Sequence, residues 1–206
     1  MARSRKAFET ELDNIFTQLK SKIMYFHNKD EAYGEGMMQW FKEVSIKNQI
    51  IHAFKSNKQK KDKEMVRRRR SKVYYVDLGV NVGSEFNYPH FSVVIAEHTY
   101  TAVVIPLSSK KEKDSGGWKE DSRSSYVEIG KIPGLSGPDE EGMDCYALVG
   151  QIKTVSKQRL SDFLDKSSGE YITLELTNDQ MDIIDQEIIK SLTNVSTEVV
   201  EKVTES

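Results

Sequence analysis

Four histidines, His27, His52, His90 and His98, are the side chains of this sequence whose ordinary proton affinity suits acid–base work near neutrality. They are scattered, and no two have the spacing of zinc ligands. The single cysteine, Cys145, cannot complete a thiolate site, so no metal centre is expected. No carboxylate cluster suits two-metal chemistry. The absence of a GxxxxGK[ST] loop and of GxGxxG leaves nucleotide hydrolysis and dinucleotide chemistry without support, and no cofactor is expected. What remains points to a polyanion. Between Lys55 and Lys72 there are ten basic residues against Asp62 and Glu64, although the net charge of the chain is −2. That run reads either as a patch that tracks phosphates or as a solvated linker. Gln151 and Lys153 alternate with Ile152, so in a strand they share the face opposite the isoleucine, toward solvent or a ligand. Trp118, in Gly116-Gly117-Trp118-Lys119, sits on a basic loop, where it could stack on an unpaired base or pack against a partner.

These residues need elements to position them. With 206 residues, one core of ordinary size plus a smaller appendage is expected. Phe8, Leu12, Ile15, Phe16, Leu19, Ile23 and Phe26 recur at spacings of three and four and predict an amphipathic helix over 5–27. Asn28 to Gly36 is polar with two glycines and reads as a loop. Met37, Trp40, Phe41, Val44, Ile51 and Phe54 mark a second helix, which completes a hairpin that needs a further surface to bury its stripes. From Val73 the pattern changes to short β-branched runs: Val73–Leu78, Val93–Ala96, Thr101–Ile105, Tyr126–Ile129, and Tyr146–Val149 leading into Gln151–Val155. Short strands at this spacing predict a small barrel. Ser156 to Asp165 is expected to be a short helix. Thr177-Asn178-Asp179-Gln180 is a capping box ahead of a helix with Met181, Ile184, Ile188 and Leu192 on its buried stripe.

Several classes are excluded. Arg3, Arg5 and Lys6 are not followed by an apolar stretch, so no secretory signal is expected. No run approaches the roughly 18 apolar residues of a membrane span. One cysteine excludes an internal disulfide framework and suits a reducing compartment, which places the protein in the cytoplasm. Cys145 itself reads as a small buried side chain.

Four segments in order resemble the MazF/PemK toxins. Val73-Tyr74-Tyr75-Val76-Asp77-Leu78-Gly79 followed by Gly83-Ser84-Glu85 looks like the family's opening strand and loop. Val104-Ile105-Pro106-Leu107-Ser108-Ser109 resembles a strand ending in hydroxyls, and Tyr126-Val127-Glu128-Ile129 a strand beyond a variable loop. Gln151-Ile152-Lys153-Thr154 through Arg159-Leu160 resembles a later strand and its turn. The resemblance covers about 120 residues and leaves the first 70 outside it. It implies an α+β fold: an SH3-like small β-barrel with a C-terminal helix, here preceded by an N-terminal α-helical hairpin. The expected organisation is a hairpin with a basic linker over 1–66, the barrel over 67–196 and an acidic tail over 197–206.

The implied activity is cleavage of single-stranded RNA without metal. The 2′-OH attacks the adjacent phosphate, leaving a 2′,3′-cyclic phosphate and a 5′-OH. The implied partners are an antitoxin protein and a second copy of the chain. Such chemistry needs a base for the 2′ proton, an acid for the leaving oxygen, and donors for the charge growing on phosphorus. The family usually carries Arg-Pro just before its second strand, and this chain has His90-Phe91 there. An imidazole could replace the arginine as acid or base, but not as a bidentate phosphate grip. In the carry-over His90, Ser108 and Glu85 are the catalytic candidates, Ser108 as a phosphate donor and Glu85 as a group that orients His90 or meets a base edge. Ser109, Gln151, Lys153, Lys157, Arg159 and Trp118 are the RNA-binding candidates. The alternative is a catalytically impaired RNA- or protein-binding module on the same fold.

Overall fold

The computed structural model describes residues 4–55, 67–81, 84–109, 126–135, 142–164 and 169–193. The chain divides into two compact units, Met1–Asn57 and Lys58–Ser206.

The first unit is a pair of long helices, α1 (Arg5–Lys29) and α2 (Glu31–Lys55). Ser4 caps α1 by accepting from the Ala7 N–H at 3.3 Å. The predicted loop over 28–36 is absent, and a single residue, Asp30, joins the helices. Its N–H donates to Phe26 O at 2.7 Å, ending α1, and its carboxylate accepts from Tyr33 N at 3.0 Å, starting α2. One residue thus serves as cap for both helices. The glycines have another use. A β-carbon on Gly34 would lie 2.5 Å from His27 Cα, so Gly34 is where the two backbones cross closely. Leu12, Leu19, Ile23 and Phe26 are half-buried against α2, yet Phe8, Ile15 and Phe16 stay exposed and α1 has no fully buried residue. Two helices alone cover only part of these stripes. The side chains of Ile51 and Phe54 lie outside the described set.

The second unit is an antiparallel sheet with a helix on one face. Its strands are β1 (Lys72–Asp77), β2 (Pro89–Glu97), β3 (Thr101–Ser109), β4 (Tyr126–Ile132), β5 (Met143–Leu148), β6 (Lys153–Ser156), β7 (Leu160–Ser161), β8 (Phe163–Leu164), β9 (Tyr171–Ile172) and β10 (Leu174–Glu175), followed by α3 (Asn178–Leu192). The main order is β10-β1-β2-β3-β5-β4, with β6 added to β3 and β7 to β1. Strand β3 changes partners along its length. Ala102 to Pro106 pair with β2, and Leu107 to Ser109 pair with β5. That change bends the sheet toward a barrel.

Neighbouring residues on the central strands enter opposite clusters, because side chains alternate across a strand. Val73, Val93 and Ile105 join one cluster with Met181 and Ile184 of α3. Tyr74, Val94 and Val104 join the other with Val155 and Leu160. Both faces are buried, which explains why these strands read as unbroken apolar runs. The capping box forms as predicted: Gln180 N donates to Thr177 Oγ1 and Thr177 N donates to Gln180 Oε1. The Gln180 amide also donates to Ile129 O at 2.8 Å and Lys131 O at 2.9 Å, which ties the first turn of α3 to β4.

A further expectation is corrected. Residues 156–164 form no α-helix; a single 3₁₀ turn, Lys157–Arg159, leads into β7 and β8. Leu160 and Ser161 pair with Val76 and Tyr75, so their backbone groups go to the sheet. At the described end of the basic run, Arg67, Arg69 and Arg70 are exposed, whereas Arg68 is docked. The Arg68 guanidinium donates to Asp162 at 2.7 Å and to Leu160 O at 3.3 Å, lies over the Tyr74 ring at 4.6 Å, and its side chain is 12% exposed. Arg70 donates to Ile95 O and to Asp185. Residues 56–66 of that run lie outside the described set.

Candidate functional site

The segment joining β1 to β2 is built from side chains that bond backbone. The Asp77 carboxylate accepts from Gly79 N at 3.1 Å, and Gly79 takes φ +80°, a conformation open to glycine. Tyr88 N donates to Gly79 O at 2.6 Å, closing the segment at its base. Asn81 donates through its amide to Leu78 O at 3.1 Å and Phe86 O at 2.7 Å, and its N–H donates to Asn87 Oδ1 at 2.6 Å.

Residues distant in sequence hold the outer part. Phe86 N donates to Gln151 Oε1 at 3.1 Å, and the same amide donates to Ser84 O at 3.3 Å. Two residues on, Lys153 pairs with Glu85 at 2.9 Å. The strand expected from Gln151 begins only at Lys153, because Val149–Gln151 forms a 3₁₀ turn, yet the Gln151 and Lys153 side chains both meet the 84–86 segment. The Glu85–Lys153 pair is partly solvated and worth about 0–1 kcal/mol at most.

His90 lies in β2 opposite Val76. The Phe86 ring covers its imidazole at 4.3 Å between centroids. Burial pushes its pKa below the ordinary 6.5, against a smaller upward pull from a hydrogen bond to the Asn87 backbone. A neutral imidazole that donates one N–H to a carbonyl keeps a lone pair on its other nitrogen, which is the form of a general base. Phe91, next along the strand, points to the opposite face and packs on Tyr75 at 5.5 Å and Phe163 at 5.6 Å. Glu85 is expected either to orient His90 or to meet a base edge. Instead its carboxylate is engaged by Lys153, and the groups set against the imidazole are the Phe86 ring and the Asn87 backbone.

Ser108 is half-buried and pairs with Tyr146, which pairs in turn with Glu128. The three make one row across β3, β5 and β4. Ser108 and His90 each lie two residues past Ser92↔Pro106, the last pair at that end of the β2–β3 ladder. Ser109, beside Ser108, pairs with Cys145. Burial and the nearby Asp144 carboxylate push the Cys145 thiol up to about 11, which makes it a packing group and not a nucleophile.

Lys157 is a correction. It is buried, with its ammonium 3.1 Å from Glu97, and so adds nothing to an RNA-facing surface. The cause is the 3₁₀ turn, whose Lys157 N–H donates to Tyr100 O and sets the side chain inward. Arg159 is half-buried and has an interaction of its own. Trp118 lies outside the described residues. Sequence reasoning missed Phe86, Asn81 and Asn87. Phe86 with Asn87 beside it and Asn81 five residues before it was the available signal. Among the described residues no three His, Cys, Asp or Glu side chains converge as a metal site would need, and no helix is long and apolar enough to cross a membrane.

Comparison with known proteins adds the following. The family described as "PemK-like, MazF-like toxin of type II toxin-antitoxin system" matches residues 69–192. The crystal structure of MazF (Form-I) from Deinococcus radiodurans is similar at 13% identity and a TM-score of 0.40, covering 61% of this chain and 96% of that one. No curated protein matches.

Proposed function

The chain belongs to the PemK-like, MazF-like toxins of type II toxin–antitoxin systems, and on that premise we propose that it is an endoribonuclease of single-stranded RNA. His90 takes the proton of a ribose 2′-OH. The 2′ oxygen bonds to phosphorus, the P–O5′ bond breaks, the leaving 5′ oxygen takes a proton from solvent water, and the products are a 2′,3′-cyclic phosphate and a 5′-OH. The observation that carries this reading is the state of His90. It is half-buried under Phe86 and bonded to the Asn87 backbone, which favours the neutral imidazole. Ser108 donates to a nonbridging phosphate oxygen, and Ser109 extends that edge. The cleavage needs no metal. The protein acts in the cytoplasm as a homodimer, and an antitoxin protein restrains it.

One observation favours a second reading, an RNA- or protein-binding module without cleavage. His90 stands where the family's phosphate-gripping arginine is expected, and the neighbouring cation Lys153 is already paired with Glu85. Incubating the purified full chain with a long RNA in EDTA and mapping the ends separates the two. Cyclic-phosphate and 5′-OH ends are expected. Intact RNA that stays bound supports the module, and cleavage that returns only with magnesium overturns the proposed chemistry.

A further inference from the structure

We infer that Gln151 is a positioning residue for His90: its side-chain amide clamps the Ser84–Phe86 backbone so that the Phe86 ring lies over the imidazole and keeps water from it. The inference rests on the proposed role of His90 and adds a residue whose expected place was on the RNA.

Both ends of the amide are used. Oε1 accepts from Phe86 N at 3.1 Å and Nε2 donates to Ser84 O at 3.3 Å. This pattern copies a strand partner and fixes the residue between, Glu85, outward toward Lys153. It also fixes the Phe86 backbone from one side while Asn81 Nδ2 holds Phe86 O at 2.7 Å from the other. A backbone held at both its N–H and its C=O leaves the ring few places to go, and it lies 4.3 Å from the imidazole. Lost contact with water is the largest influence on His90.

Among the described residues, the charged groups on the elements packed around His90 are few. Asp77 of β1 accepts from Gly79 N, Glu85 of the clamped segment is paired with Lys153 of β6, and the described end of β3 carries Ser108 and Ser109. Cover by Phe86, rather than a nearby charge, is therefore what the proton on His90 responds to. An apolar lid held by a neutral amide sets proton affinity without adding charge beside an RNA phosphate.

The test is an NMR titration of the His90 ring in the full chain, with the signal assigned by its loss in His90→Gln. The wild-type midpoint is expected below about 6.5. Gln151→Ala and Phe86→Ala should each raise it toward that value. The double variant should titrate like Phe86→Ala alone, since two residues acting through one contact are not additive. Gln151→Met keeps the length and packing without the amide, and should give the same rise if Gln151→Ala folds poorly. A midpoint that stays at the wild-type value in Gln151→Met, or effects that add in full, overturns the inference. The titration needs no RNA. A chain that shows the coupling but cleaves nothing keeps the clamp and loses the catalytic reading. Where cleavage is present, its acid limb should move with the midpoint.

Discussion

The Phe86 ring lies 4.3 Å from the His90 imidazole at a tilt of 49°, and the two residues reach that contact from the β1–β2 segment and the start of β2. The contact makes the proton on His90 a property of the loop as much as of the strand.

If His90 is the base, His90→Ala should lower RNA cleavage by roughly 10²–10⁴-fold. The pH profile carries the sign of the shift. Burial lowers the pKa, so the base form persists below the ordinary 6.5 and activity should fall only as pH drops through the lower folded value. An acid limb centred above 6.5, or an alanine variant within a few-fold of wild type, would place the chemistry on another residue.

Arg68 joins the end of the basic run to the barrel. Arg68→Ala removes the contacts to Asp162, Leu160 O and the Tyr74 ring, while the backbone N–H to Glu97 at 2.5 Å survives. Because Asp162 is half exposed, the loss should be about 1–3 kcal/mol, less than for a fully buried pair. Denaturant unfolding measures it. An unchanged midpoint would show that the docked arginine contributes nothing net.

Glu97 gives the fold a dependence on acid. It accepts from Arg68 N and Lys157 Nζ, and these bonds, the backbone one foremost, hold its pKa below the ordinary 4.5. Between that lowered value and 4.5 the unfolded chain binds more protons than the folded one. The stabilisation is thus fully present above about pH 4.5 and fades as pH falls through the folded value. Glu175, held by Lys72 and Ser71, acts in the same direction. Glu97→Gln should flatten the loss of stability below pH 4.5, measured by urea unfolding at several pH values. A wild-type-like slope would assign the acid sensitivity elsewhere.

Gly34 tests the helix crossing. On an isolated helix Gly→Ala adds about 1 kcal/mol of stability. Here the new β-carbon would meet His27 Cα at 2.5 Å, so the helices must separate. Gly34→Ala should weaken the hairpin despite the better propensity, seen as faster hydrogen exchange over 5–55 in the full chain. Slower exchange would mean that propensity outweighs the crossing.

Periodic patterns were legible because they repeat within a few residues. The stripe of α1, the β-branched runs of β1 to β3, and the capping box of Thr177 and Gln180 all follow from local spacing. The expected loop at 28–36 failed because glycine is ambiguous in sequence: it permits a turn, and it also permits a close approach of two helices, as at Gly34. The expected helix over 156–165 failed because polar residues with scattered apolar ones fit either element, and the pairing of Leu160 with Val76 decided for strand.

Composition, strand and helix periods and the segments shared with the toxin family were determined by the sequence alone, since each depends on neighbours a few residues apart. The partner of each polar side chain was decided only in the folded chain. Lys153 meets Glu85 across 68 residues, Gln151 meets Phe86 across 65, and Lys157 turns inward to Glu97 across 60. A lysine reads the same in sequence whether it faces RNA, solvent or a buried carboxylate. Strand register and the turn ahead of β7 choose among these, because they fix which distant atoms come within hydrogen-bond reach.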